Sequence, residues 1–244
     1  MNLIIDMGNT RTKLAIFKHS TLVHKIAIEN SQLNSSILEK IEKEFEPAKY
    51  IMTYSGKLND DVFEFLQKKP HFILLDQHTP IPIINGYETP ATLGKDRLSA
   101  VVAAHNLFPD SHCLVIDCGT CITYNFIDKQ GKFEGGSISP GLHMRFKALH
   151  KLTAKLPMVE PGDAPELIGK NTEMAIRIGA QNGAILEMDA FIQSYLQRFP
   201  EIKTLLTGGD AHFFELRLKN KIFADENLVL KGLNDILNFN SNTQ

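Results

Sequence analysis

The chain has 244 residues and a mass of 27.4 kDa, enough for one large domain or two compact halves. Lys and Arg total 26 against 28 Asp and Glu, with 43% hydrophobic and 22% charged residues, so a disordered chain is excluded and a net charge of −2 offers no attraction to nucleic acid or an anionic membrane. Three cysteines are too few for a disulfide framework, the apolar runs fall far short of a membrane helix, and MNLIIDMGNT has no signal-peptide pattern; a cytoplasmic protein is expected.

From the N-terminus, Leu3-Ile4-Ile5-Asp6-Met7-Gly8-Asn9-Thr10 followed by Lys13-Leu14-Ala15-Ile16-Phe17 reads as strand, tight turn, strand. Both apolar runs are bounded by turn formers and are too short for helices. A third strand is expected over 22–28. Ser31 is the expected cap of a helix in which Ile37, Leu38, Ile41 and Phe45 recur at helical spacing, with Pro47 just beyond. A strand is expected at 50–54, a helix at 60–69 stopped by Pro70, and a buried strand at 72–75. Pro80, Pro82, Gly86 and Pro90 mark 77–90 as a loop. Residues 94–108 turn helical, with Leu98, Val101, Val102 and His105 on one face and Pro109 at the end.

The run Leu114-Val115-Ile116-Asp117-Cys118-Gly119-Thr120, continued by Ile122-Thr123-Tyr124-Asn125-Phe126-Ile127, again reads as strand, turn, strand. A strand near 132–137 enters Gly135-Gly136-Ser137-Ile138-Ser139-Pro140-Gly141 and leads into a helix near 144–152. Residues 155–165 form a Pro-containing loop, and 171–199 are mostly helical, with Gly179 and Gly183 one turn apart. A strand at 204–207 runs into Gly208-Gly209-Asp210 and a helix; the last element is a helix at 232–239.

Leu3-Ile4-Ile5-Asp6-x-Gly8 lines up with Leu114-Val115-Ile116-Asp117-x-Gly119, and Thr12 with Thr123. A repeat this coarse implies two related α/β lobes rather than a solenoid. The expected division is 1–111 and 112–244. An Asp at a strand end followed by Gly and Thr suits a phosphate, because the turn exposes backbone N–H groups and glycine lets them come close. Asp6 would hold the water shell of a magnesium ion, and Lys13 would add a point charge. For one copy alone the plain alternative is a hairpin turn. Two copies, together with Gly208-Gly209-Asp210, favour a nucleotide triphosphate with its cations, held at two acidic turns facing one cleft.

These paired turns resemble the actin, sugar kinase and Hsp70 ATPase superfamily, an α/β fold of two related ribonuclease H-like lobes with an interlobe cleft. More narrowly the sequence resembles type III pantothenate kinase, over nearly its whole length. The match runs through Asp6-x-Gly8-Asn9-Thr10-x-x-Lys13, Tyr87-x-x-Pro90-x-x-Leu93-Gly94-x-Asp96-Arg97, Asp117-x-Gly119-Thr120, Gly135-Gly136-x-Ile138-x-Pro140-Gly141, Asn171-Thr172 with Gly179, and Thr207-Gly208-Gly209-Asp210-Ala211. The resemblance implies ATP-dependent phosphorylation of pantothenate. Asp6-Met7-Gly8-Asn9-Thr10-Arg11-Thr12-Lys13 would hold the ATP phosphates, Thr120 would touch ATP, and Gly208 and Gly209 would lie by the adenosine. Asp96 would be the general base; Tyr87, Gly94, Lys95, Asp96 and Arg97 would hold pantothenate, and Thr172 would reach it across a homodimer interface. Asp117 would ligate a monovalent cation, K+ or NH4+, besides the Mg2+ held through water at Asp6. No nucleic-acid or membrane partner is expected.

Read without that resemblance, Asp96 and Arg97 are first-turn charges of a helix. A carboxylate there is stabilised as the anion and is a weaker base, but a loose phosphoryl-transfer transition state asks it mainly to orient the hydroxyl. Arg97 suits an anionic or polar substrate group, or a surface ion pair. The alternatives are a sugar-type kinase on the same fold and a non-catalytic nucleotide-binding regulator; the Asp96 carboxylate favours a kinase over the regulator. Cys118-Gly119-Thr120-Cys121 lacks the helix start or further ligands that a redox or zinc site needs. His105 reads as a satisfied core or interface histidine. His143 and Arg145 would face solvent or phosphate. The run Glu39-Lys40-Ile41-Glu42-Lys43-Glu44 reads as a solvated face, and Met174, Ile178, Ile185 and Met188 as core or dimer packing.

Overall fold

The computed structural model describes residues 1–165 and 167–241. The chain divides into two compact units. Of the described residues, the first holds Met1–Leu107, Gly131–Phe133 and 227–241; the second holds Phe108–Gln130 and Glu134–Glu226.

The first unit opens on β1 (Asn2–Met7), β2 (Arg11–Lys18) and β3 (Thr21–Glu29), followed by α1 (Ser35–Phe45), β4 (Lys49–Tyr54), α2 (Asp60–Gln67), β5 (Phe72–Leu74), β6 (Ile84–Asn85) and α3 (Lys95–Leu107). Its five-stranded sheet has the order β3-β2-β1-β4-β5. β1 pairs antiparallel with β2 and parallel with β4. Alternation along the strands sorts the side chains. Leu3, Ile5, Met7, Leu14, Ile16 and Met52 pack with Leu38 and Ile41 of α1 and Val62 and Leu66 of α2. The intervening residues face α3 and the C-terminal helix.

The cap of α1 is Asn34, whose Oδ1 accepts from the Ile37 N–H at 3.2 Å, and not Ser31. The reason lies in Asn30, which is committed to the first hairpin: its N–H donates to the Thr10 carbonyl and its Nδ2 to the Gly8 carbonyl. Asn30–Gln32 is thereby held as a 3-10 turn, and the helix begins at the next good cap. β5 is half-buried rather than fully buried, as befits an edge strand. The expected loop at 77–90 contains β6, which pairs parallel with Lys132 and Phe133. α3 is not amphipathic as the spacing implied: Leu98, Ser99, Ala100, Val101, Val102, Ala103 and Ala104 are all buried.

The second unit carries β7 (Cys113–Cys118), β8 (Cys121–Ile127), all but the first two residues of β9 (Lys132–Pro140), α4 (Leu142–Lys151), α5 (Thr172–Arg177), a π-type turn (Ile178–Asn182), α6 (Gly183–Arg198), β10 (Lys203–Thr207), α7 (Ala211–Glu215) and β11 (Phe223–Ala224). Its strands run β11-β10-β7-β8-β9. β7 pairs antiparallel with β8 and parallel with β10. Read from the other edge, this is the order of the first unit, so the duplication seen in the sequence is a duplication of topology. One detail of the alignment is corrected. Asp6 pairs with Lys13, whereas Asp117 pairs with Thr123. The structural counterpart of Thr123 is therefore Lys13 and not Thr12, because the first hairpin turn is one residue longer.

The last helix, α8 (Leu228–Ser241), starts earlier than expected and belongs with the first unit, where a boundary at 111/112 would place it in the second. Two contacts explain this. A side chain at Gly232 would put its Cβ 1.8 Å from the Ser99 carbonyl oxygen, so glycine alone lets α8 press on the α3 backbone. Asn234, 1% exposed, accepts from Asn2 Nδ2 at 2.8 Å and donates to the His19 carbonyl at 2.9 Å. Asn234→Ala strips both groups of that partner, and urea unfolding should show a loss of about 2–3 kcal/mol.

Candidate active site

The first hairpin is built to present backbone. The Gly8 N–H closes on the Arg11 carbonyl at 3.0 Å, and Asn30 braces the turn through Gly8, Thr10 and the Thr12 hydroxyl at 2.8 Å. Thr12 is thus a buried strut, while Asn9 and Thr10 are exposed at the tip. Arg11 turns aside to Glu29 at 3.3 Å. Asp6 is 9% exposed on the sheet face opposite the apolar core. Burial pushes its carboxyl up to about 6; Lys13 opposes the rise and the negative charge of Asp96 adds to it. The two carboxylates predicted for different tasks are therefore close enough to interact.

Asp96 lies in the first turn of α3, half-buried, with Oδ1 accepting the Arg97 N–H at 2.8 Å. Gly94 supplies the carbonyl that accepts the Leu98 N–H, and Lys95 Nζ reaches back to the Leu93 carbonyl. Arg97 does not project to the surface: it is 6% exposed, and its guanidinium carbon sits 5.5 Å from the Tyr87 ring centre and 6.0 Å from that of Phe133. Tyr87 and Phe133 stack at 6.0 Å with a 7° interplanar angle. The structure thus brings Tyr87, Arg97 and Phe133 together. No motif marks Phe133; only its place just before Gly135-Gly136 was a signal.

In the second unit Asp117 ends β7 and Thr120 is exposed at the turn, whose Gly119 N–H donates to the Cys121 carbonyl at 3.1 Å. Gly208 follows β10 with φ +99°, and a Cβ there would lie 2.5 Å from both Asp117 Oδ1 and the Cys118 carbonyl oxygen. Only glycine meets both demands. Two oxygens thereby converge beside Gly208. Gly209 is exposed, and Asp210 donates its N–H to the Cys118 carbonyl. Thr172 is the first residue of α5, behind the cap Asn171.

Arg145 is engaged within the protein: it donates to the Pro140 carbonyl, Ser139 and Glu187, bracing the turn before α4. His143 is half-exposed, 3.7 Å from Asp210 and 3.6 Å from Glu160. No disulfide joins the three cysteines, and burial, aided by the charges of Asp117 and Asp210, raises the Cys118 thiol far above its ordinary range. His105 is not a satisfied histidine, since its buried Nδ1 has no hydrogen-bond partner. Within the charged run of α1, Glu42 is engaged by Lys69 and by the Tyr50 hydroxyl. Met188 and Ile185 do belong to a core. No helix among the described residues is long and apolar enough to cross a membrane.

Two α/β units of one topology, each opened by an Asp-x-Gly hairpin, define a member of the actin-like ATPase fold. Solved structures agree. A Baf family protein from Campylobacter jejuni superposes with TM-score 0.60 at 22% identity, over 98% of this chain and 99% of that one. An inorganic polyphosphate/ATP-glucomannokinase from Arthrobacter sp. superposes with TM-score 0.52 at 13% identity, over 100% of both chains. At the sequence level, the family model for type III pantothenate kinase matches residues 2–194, and a type III pantothenate kinase from Bacteroides fragilis is 49% identical over 243 residues, 99% of each chain. The chain belongs to the type III pantothenate kinase family.

Proposed function

We propose that this protein transfers the γ-phosphoryl group of ATP to the primary hydroxyl of pantothenate, giving 4'-phosphopantothenate, the opening step of coenzyme A biosynthesis. The observation that carries this reading is the interacting pair Asp6 and Asp96, one at a phosphate-type hairpin and the other at a helix start beside the Tyr87, Arg97 and Phe133 cluster. Asp6, Gly8, Asn9, Thr10 and Lys13 hold the phosphates, with Met7 and Thr12 supporting the hairpin from inside and Arg11 turned to Glu29. Thr120 touches ATP, and Gly208 and Gly209 serve the adenosine. Tyr87, Gly94, Lys95, Asp96 and Arg97 hold pantothenate. Asp96 orients the acceptor hydroxyl and takes its proton as the phosphoryl group passes in line.

A magnesium ion fits Asp6, because this ion keeps most of its waters and takes only one or two carboxylates beside the phosphates. It would offset charge on the β- and γ-oxygens. A monovalent cation, K+ or NH4+, fits Asp117, where the carboxylate and the Cys118 carbonyl oxygen come together at Gly208. The exposed side chains Ile138, Leu152, Leu167, Ile168 and Leu186 suit a homodimer in which Thr172 reaches pantothenate bound by the other protomer. We place the enzyme in the cytoplasm. A coupled assay for ADP release tests the reading. ADP should form only when pantothenate is present, and several-fold faster in potassium than in sodium; ADP formation indifferent to pantothenate would overturn it.

A further inference from the structure

Thr53, near the end of β4, is 1% exposed, and its hydroxyl oxygen makes no hydrogen bond. A buried, unpaired hydroxyl destabilises the fold, a cost that valine would avoid in nearly the same volume. The sheet decides where this hydroxyl stands. Asp6 is paired with Lys13 on one side and with Thr53 on the other. Residues paired across neighbouring strands share a face. Leu3, Ile5, Met7, Tyr50 and Met52 take the opposite face, toward α1 and α2. The row of Lys13, Asp6 and Thr53 therefore lies on the face where Asn2 bonds α8 and where α3, which carries Asp96, packs on β4.

The second unit repeats the arrangement. Thr207 pairs with Asp117 from the neighbouring parallel strand and is also 1% exposed. On the hairpin side the two copies differ, Lys13 against Thr123. Both copies of the duplicated Asp thus keep a threonine beside them on the parallel strand. Thr53 is the next-to-last residue of its strand and Thr207 the last of its own.

We propose that Thr53 is a positioning residue of the phosphoryl-transfer site, its hydroxyl bonding to water of the hydrated cation held between Asp6 and the ATP phosphates; this rests on the assignment of the Asp6 hairpin to ATP. The free protein bears the cost of an unpaired hydroxyl, and binding relieves it. Fold and function should therefore respond in opposite directions to Thr53→Val. Its melting temperature should equal or exceed that of the wild type. Its dissociation constant for the non-hydrolysable analogue AMPPNP with magnesium should rise by roughly 10-fold or more, while AMPPNP binding in EDTA should not change. Thr53→Ser should restore the magnesium-dependent binding.

Calorimetry on the full chain reads all of these. A lower melting temperature or failure to fold in Thr53→Val would overturn the proposal, because the hydroxyl would then be partnered in the free protein. So would unchanged binding with magnesium, or an equal loss with and without it. If the wild type itself bound no AMPPNP, the ATP assignment would fall, and the role of Thr53 with it.

Discussion

Asp96→Asn should bind ATP and pantothenate within a few-fold of the wild type and yet lose roughly 10²- to 10⁴-fold in turnover, the range a positioned general base contributes. The geometry explains the separation. Oδ1 of Asp96 accepts the Arg97 N–H, so the carboxylate is anchored at the first turn of α3, and in the proposed role its other oxygen would meet the acceptor hydroxyl. Asparagine keeps the shape and the anchoring acceptor but has no basic oxygen to take a proton. The proposed pantothenate contacts through Tyr87 and Arg97 would be untouched. Because the charge of Asp96 helps to raise the Asp6 carboxyl, the variant should also show Asp6 titrating at lower pH. Steady-state ADP release with calorimetric binding measures both parts; undiminished turnover would remove Asp96 as the base.

Asp6→Asn should lose about 100-fold or more in kcat/KM for ATP, since one carboxylate facing the cation and phosphates is gone. It should also change the pH profile. Burial pushes the Asp6 carboxyl up to about 6, so kcat/KM for ATP should fall roughly tenfold per pH unit below that point. The asparagine variant should lack this limb.

Stability moves the other way. The folded protein holds the Asp6 proton more tightly than the unfolded chain, whose reference value is 3.8. The associated stabilisation is full below that value and is lost as pH rises through about 6. At pH 7 the wild type therefore carries a buried anion that asparagine does not. The variant should be more stable there by roughly 2–3 kcal/mol, and the gain should vanish near pH 4. Urea unfolding across pH 4–8 together with the pH–rate profile tests both signs. A persistent acid limb in Asp6→Asn would assign it to another group.

Much of the fold was legible because its signals are local. Leu3-Ile4-Ile5-Asp6 and Leu114-Val115-Ile116-Asp117 are short apolar runs that break at Gly8 and Gly119, and such runs have few alternatives to strand and turn. What escaped was set by partners distant in sequence. β6 and β11 have two residues each, too few for any periodicity, and exist because a neighbouring strand supplies hydrogen bonds. Ser31 looked as good a cap as Asn34 until Asn30 was tied to a hairpin twenty residues earlier. The helical face ending at His105 was sought on a helix that is buried on every side.

By itself, the sequence determined that two α/β lobes begin with matching acidic hairpins, that Asp96 opens a helix, and which family the motifs belong to. Residue type and spacing carry that information, since turn chemistry and strand length depend on nearest neighbours. Only the tertiary structure decided that α8 serves the first unit, that Arg97 lies buried against Tyr87 and Phe133, that Lys13 rather than Thr12 answers Thr123, and that Thr53 stands beside Asp6. Those facts follow from strand register and from helices packing across the sheet, where a shift of one residue exchanges one face for the other.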